Sequence, residues 1–384
     1  MTQLDARVDG SDRPLLVGVD VGGSKIAVLV VDRDDRVLAR EVAPTKAGAQ
    51  DRAVEEIAAV VTGALARAGA TAGDIAALGV GVPGRVDPLT GDVTLAVNLG
   101  WSDLPLGSRL EAHFGRPCVV ENDVRAAALG LHRRRVLGDI EDLAYLAVGT
   151  GVSAGVVLDG RLHRGAHGLA GEIGHVIVDP GGALCACGQH GCLETLVSGS
   201  AIARLAHEGI EAGRPTSMTD LSELDATAQP TLVRRRTTSP NHLAVGDGAP
   251  AAQAAAPAPH PTAIDVYRAA ASGDGLATEI ADAVGRRLAW AIHLLVMAYD
   301  VERVVLGGGV SHAGETFVLP IRRELDRMRA TSALAREQLV PGIVELLPVG
   351  ADAGAWGAVI IAGAAHAGIG TGEGWEEVGH VRDP

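Results

Sequence analysis

Aromatic residues make up only 2% of this 384-residue chain, while hydrophobic residues together reach 47%. Any core must therefore be aliphatic, built from Ala, Val, Leu and Ile. Lysine is nearly absent: Lys25 and Lys46 are the only two, and the other basic residues are arginines. The formal net charge of −14 is spread along the chain rather than collected in a tail. That balance excludes generic nucleic-acid partners, whose capture rests on neutralising phosphates. It leaves room for a nucleotide pocket in which local amides and a metal ion offset the charge. Long apolar runs are missing too. The longest, Leu288–Tyr299, is interrupted by His293 and falls short of the ~20 residues that a membrane span needs. The first residues, MTQLDARVDGSDRP, carry charge and no apolar h-region, so a cytoplasmic protein with no signal peptide and no membrane partner is expected.

Cysteine is scarce as well, yet three of the four fall in one stretch, CACGQHGCLE from Cys185 to Glu194. In a reducing compartment such clustering points to metal rather than to a disulfide. Cys185, Cys187 and Cys192 would supply three thiolates, and a structural zinc takes four tetrahedral ligands. The fourth would be His175, in GEIGH, or His190, inside the loop.

What is present is an alternation of strands and helices. Pro14–Asp32 reads as two apolar β-rich runs joined by a Gly-Gly turn, and Asp51–Gly69 carries helical spacing. Ile75–Gly84 reads as a strand ending in a turn, and Pro117–His132 as a strand passing into an Ala-rich helix. Leu143–Gly160 repeats the opening pattern of strand, Gly-rich turn and strand, and Val301–Ser311 is a strand feeding a glycine cluster. Two similar halves, each with a Gly-rich hairpin turn, imply an α/β protein of two lobes facing a cleft. Gly213–Thr262 breaks the composition, being rich in Ala and Pro and poor in large apolar residues. It reads as a disordered insertion, with helical periodicity resuming at Ala263.

DVGGSK (Asp20–Lys25), GTGVSAG (Gly149–Gly155) and GGG (Gly307–Gly309) can each cradle phosphate. Glycine lets the backbone approach an anion, and successive N–H groups form a concavity for it. Each turn taken singly is equally well a tight hairpin or a close packing point. None matches the Walker or Rossmann patterns. Asp123, at the strand-to-helix junction of ENDVRAAALG, is a general-base candidate and equally a helix N-cap.

In order and spacing, DVGGSK, END with its helix, GTGVSAG, GEIGH, CACGQHGCLE and LGGGVS resemble the ROK family of bacterial sugar kinases and sugar-responsive repressors. The resemblance covers roughly residues 14–368 without the insertion. It implies an actin-like ATPase (hexokinase/RNase H-like) fold. The expected division is a flexible 1–13, a small lobe at 14–121 joined by a C-terminal helix at about 352–367, and a large lobe at 122–351. The large lobe would carry the zinc loop 175–192 and the insertion at about 213–262; 368–384 would be a flexible tail.

The resemblance further implies an ATP-dependent kinase that phosphorylates the 6-hydroxyl of a hexose. Glucose is the first candidate, with N-acetylglucosamine or N-acetylmannosamine as alternatives and polyphosphate as an alternative donor. Asp123 would be the base, and Asn122, Glu172, His175 and Glu194 would hold the sugar. Asp20, Gly22, Gly23, Ser24 and Lys25, with Thr150, Gly151, Gly307, Gly308 and Gly309, would hold ATP and Mg²⁺. Zinc on His175, Cys185, Cys187 and Cys192 would act as scaffolding, pinning Glu172 and Glu194 on one small loop. Arg85 in GVPGRV and Asn98 in AVNLGW resemble sugar-facing positions. A homodimer or homotetramer is implied as well.

Two departures from the family pattern stand out. Ser24 replaces the usual Thr, keeping the hydroxyl, and Ser153 with Ala154 replace a fuller glycine run, where they are expected to narrow the second phosphate turn. Two other classes are open to such a chain. A DNA-binding repressor would need a helix-turn-helix before the first strand, for which 13 residues are too few; a non-catalytic sugar sensor would need none.

Overall fold

Two five-stranded sheets with the same strand order dominate the computed structural model, which describes residues 14–46, 50–218 and 261–368. The expected flexible N-terminus, most of the insertion and nearly all of the tail lie outside the described residues. The first sheet runs β3-β2-β1-β4-β8, with β1 Leu15–Val21, β2 Lys25–Val31, β3 Val37–Pro44, β4 Ile75–Val82 and β8 Cys118–Asn122. The second runs β11-β10-β9-β12-β13, with β9 Leu143–Val148, β10 Val152–Leu158, β11 Arg161–His163, β12 Arg303–Gly307 and β13 Val344–Leu346. In both, the three earliest strands pair antiparallel and the last two add parallel to the first.

The sequence explains which strands are central. LLVGVDV and IAALGVGV are almost continuously buried, as expected of strands covered on both faces. VLAREVAP alternates charge with apolar residues and leaves half its length exposed, which suits an edge. A small third sheet extends the first half: β5 Arg85–Val86, β6 Val93–Ala96 and β7 Trp101–Leu104, followed by α2 Leu106–Phe114. α1 Ala53–Arg67 packs across β2 and β3.

Between the sheets lie α3 Asp123–Arg133 and α10 Ala353–His366, which pack on each other. α10 seats on β1 and β4, while α3 seats on β9 and β10. Small residues make the approach possible. A Cβ on Gly18 or Gly79 would overlap the carbonyl of Ala355 or Ala358, and one on Gly357 would overlap that of Ala126. This shared helical layer brings the ends of the two sheets to one cleft.

The second half is completed by α4 Glu194–Val197, α5 Gly199–Glu211, α6 Ala263–Ala271, α7 Gly275–Tyr299, α8 Glu315–Thr331 and α9 Ala333–Gln338. α6 opens with a capping box in which Thr262 and Asp265 satisfy each other's backbone N–H. The core is aliphatic, as the composition requires; Tyr267 and Phe317 form a rare aromatic contact in it, edge to face at 5.5 Å. Among the described residues no helix is long and apolar enough to cross a membrane.

Candidate active site between the two sheets

Three glycine turns and one strand-to-helix junction meet at the cleft. In the β1–β2 turn the Gly22 N–H donates to the Lys25 carbonyl at 2.8 Å. Thr45, just beyond β3, braces this turn twice. Its hydroxyl donates to the Gly22 carbonyl at 2.7 Å and its N–H to the Ser24 carbonyl at 3.0 Å. In the β9–β10 turn the Gly149 N–H donates to the Gly151 carbonyl at 2.9 Å, and Gly199, the first residue of α5, donates to the Gly149 carbonyl at 2.7 Å. The Ser200 hydroxyl donates to the Thr150 carbonyl at 3.2 Å. The third turn lies against the second: Gly308, at φ 84°, leaves no room for a Cβ beside the Val148 carbonyl. Its neighbours Gly307 and Gly309 end β12 and open a short 3-10 turn.

The expected narrowing by Ser153 and Ala154 does not arise. The turn ends at Gly151 and β10 begins at Val152, so both residues belong to the strand. Ala154 is buried, and its N–H donates to the Gly171 carbonyl at 2.8 Å.

β8 runs directly into α3, and this settles which residue caps the helix. Asn122 is the N-cap, its Oδ1 accepting the Arg125 N–H at 3.0 Å while its Nδ2 donates to the Gly84 carbonyl at 3.1 Å. Its carboxamide keeps one lone pair and one N–H for a ligand. Asp123 is thereby released from capping; its Oδ1 accepts the Val124 N–H at 2.9 Å. Burial, then the charge of Asp20 and that of Glu172, push the Asp123 carboxyl up to about 7. Asp20, at the end of β1, is pushed up to about 6, mainly by burial and by Asp352 against the opposing pull of Lys25. Two carboxyls that sense each other thus sit at the cleft floor.

Tyr145 joins them, and the sequence reading missed it. It is buried on β9 with its ring and hydroxyl packed against Gly307. Burial and the charges of Asp20 and Asp123 raise its phenol further above the usual range, so it stays a neutral donor. Its signal was weak: one of three tyrosines in the chain, placed in an otherwise aliphatic strand.

Glu172 precedes the 3-10 turn Ile173–His175, and Glu194 opens α4. The Glu194 Oε2 accepts the Val152 N–H at 2.9 Å and covers Gly151, where a Cβ would meet it at 2.6 Å. The carboxylate is therefore bonded to the first residue of β10 and packed over the second glycine turn. Glu172 is raised above the ordinary carboxylate range by burial and by Glu194, opposed by His175 and Arg125.

The ligand atoms of His175, Cys185, Cys187 and Cys192 all lie within 4.8 Å of one another. Cys185 Sγ stands 3.6 Å from His175 Nδ1, and Cys187 Sγ stands 3.6 Å from Cys192 Sγ. A tetrahedral zinc with Zn–S of ~2.3 Å separates neighbouring donors by about 3.8 Å, so this donor set fits the ion. His190 points elsewhere, its Nδ1 3.0 Å from the Gly182 carbonyl.

Arg85 and Asn98 both lie on the small third sheet, the latter in its β6–β7 turn. Arg85 is exposed on β5, and its neighbour Gly84 makes the contact with Asn122. Asn98 lies beside the first glycine turn, its Cβ 4.0 Å from where a Gly23 side chain would begin.

The ROK family profile matches residues 16–365. The glucokinase of Halalkalibacterium halodurans is 33% identical over 312 residues, covering 81% of this chain and 84% of that one. The glucokinase of Streptomyces coelicolor is 33% identical over 321 residues, covering 82% and 87%. Among solved structures, the ROK family glucokinase from Streptomyces griseus in complex with glucose and AMPPNP superposes with a TM-score of 0.68 at 31% identity, covering 91% of this chain and 99% of that one. With its repeated sheets, glycine turns and Cys/His cluster, the chain belongs to the ROK family and has the actin-like ATPase fold.

Proposed function

We propose that the chain is an ATP-dependent hexose kinase of the glucokinase type. MgATP donates its γ-phosphoryl to the 6-hydroxyl of the sugar, with glucose the first candidate. One observation carries this reading: Asn122 caps α3, so Asp123 stands uncommitted at the β8–α3 junction, with its carboxyl raised by burial and then by the charges of Asp20 and Glu172. A carboxyl near 7 takes up a proton readily as the hydroxyl attacks phosphorus. The balanced step forms the sugar O–P bond, breaks the bond from the γ-phosphorus to the β,γ-bridging oxygen, and leaves the hydroxyl proton on Asp123.

The other residues bind and orient. Asn122, Glu172, His175 and Glu194 accept from and donate to sugar hydroxyls. Asp20 holds the Mg²⁺ of MgATP through water, while the turns at Gly22–Lys25, Thr150–Gly151 and Gly307–Gly309 offer N–H groups and hydroxyls to phosphate. Tyr145 donates its O–H at the floor. Zinc on His175, Cys185, Cys187 and Cys192 would hold the loop between Glu172 and Glu194 in one shape. Metal analysis of the purified protein is expected to find one zinc per chain, lost in Cys192→Ser. The glucokinase relatives at 33% identity across most of their length support the reaction class.

The test is coupled ADP release with glucose, N-acetylglucosamine, N-acetylmannosamine and other hexoses, using ATP and then polyphosphate as donor. Glucose-dependent ADP release is the expected outcome. Tight sugar binding with no ADP release for any sugar would replace the kinase with a sensor.

A further inference from the structure

Behind the Asn122–Asp123 pair lies an ion network that the proposed chemistry does not use. Glu121 and Arg125 are each only 4% exposed. Arg125 Nε donates to Glu121 Oε1 at 2.8 Å, and the Asn122 N–H donates to the same oxygen at 2.8 Å. Arg164 Nε donates to the other oxygen, Oε2, at 2.6 Å. The second arm of the Arg125 fork leaves this group and donates through NH1 to the Gly168 carbonyl at 2.6 Å. Burying an arginine and a glutamate is costly unless every charge is met. Here each oxygen of Glu121 has a cationic partner.

The two arms of Arg125 reach different parts of the site. One holds the end of β8, where Asn122 and Asp123 stand. The other holds the loop from Arg164 to Gly171 that delivers Glu172. That loop is closed on itself, the Ala170 N–H donating to the Arg164 carbonyl at 3.1 Å, and it ends at Gly171, which accepts from Ala154 at 2.8 Å. The Gly168 bond therefore ties this loop, four residues before Glu172, to α3, while Gly171 ties its end to β10. A lysine offers the same charge but only a point donor, so it can serve one arm and not both.

We propose that Arg125 is a positioning residue that clamps the Glu172 loop to the Asn122–Asp123 junction, setting the width of the hexose site. The proposal rests on the kinase reading above. It assigns Arg125 no contact with substrate.

The first test is Arg125→Lys, which keeps a cation opposite Glu121. The hexose KM is expected to rise about tenfold, with the ATP KM within about twofold of wild type and the melting temperature close to it. Arg125→Gln should raise the hexose KM further. A hexose KM in Arg125→Lys equal to that of wild type would overturn the proposal, because charge alone would then account for the residue. A second measurement needs no variant: amide hydrogen exchange on the wild-type protein with and without glucose. Protection of Asn122–Arg125 and of Gly168–Glu172 should rise together on glucose binding; protection gained by one segment alone sinks the clamp. Wild-type ADP release separates the two claims. Its absence removes the kinase reading, whereas the exchange result reports on the clamp through sugar binding alone.

Discussion

The two halves of the molecule share a strand order and a glycine turn in the same place, yet they hold that turn differently. In the first half the brace comes from the sheet's own edge, where Thr45 after β3 bonds to both Gly22 and Ser24. In the second half it comes from outside the sheet: Gly199 of α5 bonds to Gly149, and Glu194 of α4 bonds to Val152. The acids differ too. β1 carries Asp20 one residue before its end, and the matching place in β9 is Ala147. In the proposed reading the first half thus supplies charge for a metal-bound triphosphate, with its own edge strand bracing the turn. The second half supplies amides whose geometry depends on the loop next to the Cys/His cluster. The lesson is that the second glycine turn is covered by a side chain of the proposed sugar site, whereas the first is braced by Thr45.

Asp123 stands between the halves, so its removal is the largest break. Asp123→Asn keeps shape and N1 position, and kcat is expected to fall by about 10²–10⁴ in the ADP-release assay. The same variant reports on stability with a definite sign. A carboxyl raised in the folded state to about 7 contributes stability below its unfolded value, and that contribution is lost as pH rises through 7. Asp123→Asn should therefore be more stable than wild type at pH 8, by about 1–2 kcal/mol after allowance for its partial exposure, with the gain shrinking as pH falls from 7 towards 4. Urea melts at pH 8 and pH 5 check both statements.

Glu194→Gln sharpens the comparison. Gln retains an acceptor but loses the charge-assisted bond to Val152, worth about 1.5–3 kcal/mol. Hexose KM is expected to rise about 10- to 100-fold and ATP KM to rise with it, because the side chain belongs to both sites. Titration calorimetry with each ligand alone measures the two effects; a change confined to the sugar would mean that the second turn is as self-supporting as the first. The pH profile comes next in size. Since the base works ionised, kcat/KM for hexose should fall about tenfold per unit below an acid limb near 7. A limb at the ordinary carboxylate value would show that neither burial nor the charges of Asp20 and Glu172 raise Asp123.

Much of this arrangement was legible beforehand. The hairpin at Leu15–Val31, the strand-to-helix junction at Asn122–Asp123 and the restart of helix at Ala263 all announce themselves locally, through periodicity, turn glycines and a capping box. The small sheet from Arg85 to Leu104 leaves no such signal, because its strands are two to four residues long, too short to show alternation. Single-residue loop placements such as Arg85 and Asn98 depend on how that sheet folds back. Tyr145 and Arg125 were hidden for a different reason. Their partners Gly307 and Gly168 lie far along the chain, brought up by β12 pairing with β9 and by the loop before Glu172, and no spacing rule records such contacts. The turn stops at Gly151, so Ser153 and Ala154 stand as the second and third residues of strand β10 rather than in the glycine turn.

The smallest expected effect is the most discriminating. Thr45→Val removes the hydroxyl that donates to Gly22 at 2.7 Å while keeping the branched shape and the backbone bond to Ser24. A neutral hydrogen bond contributes about 1 kcal/mol, so ATP KM should rise about fivefold. Hexose KM should stay where it is, since Thr45 braces only the first turn, whereas Glu194 braces the second. Set beside Glu194→Gln, this variant asks whether the two turns differ in what they are coupled to or only in what holds them. If Thr45→Val shifted hexose binding as well, both turns would be communicating through the cleft, and the contrast between a self-braced half and a loop-braced half would lose its basis.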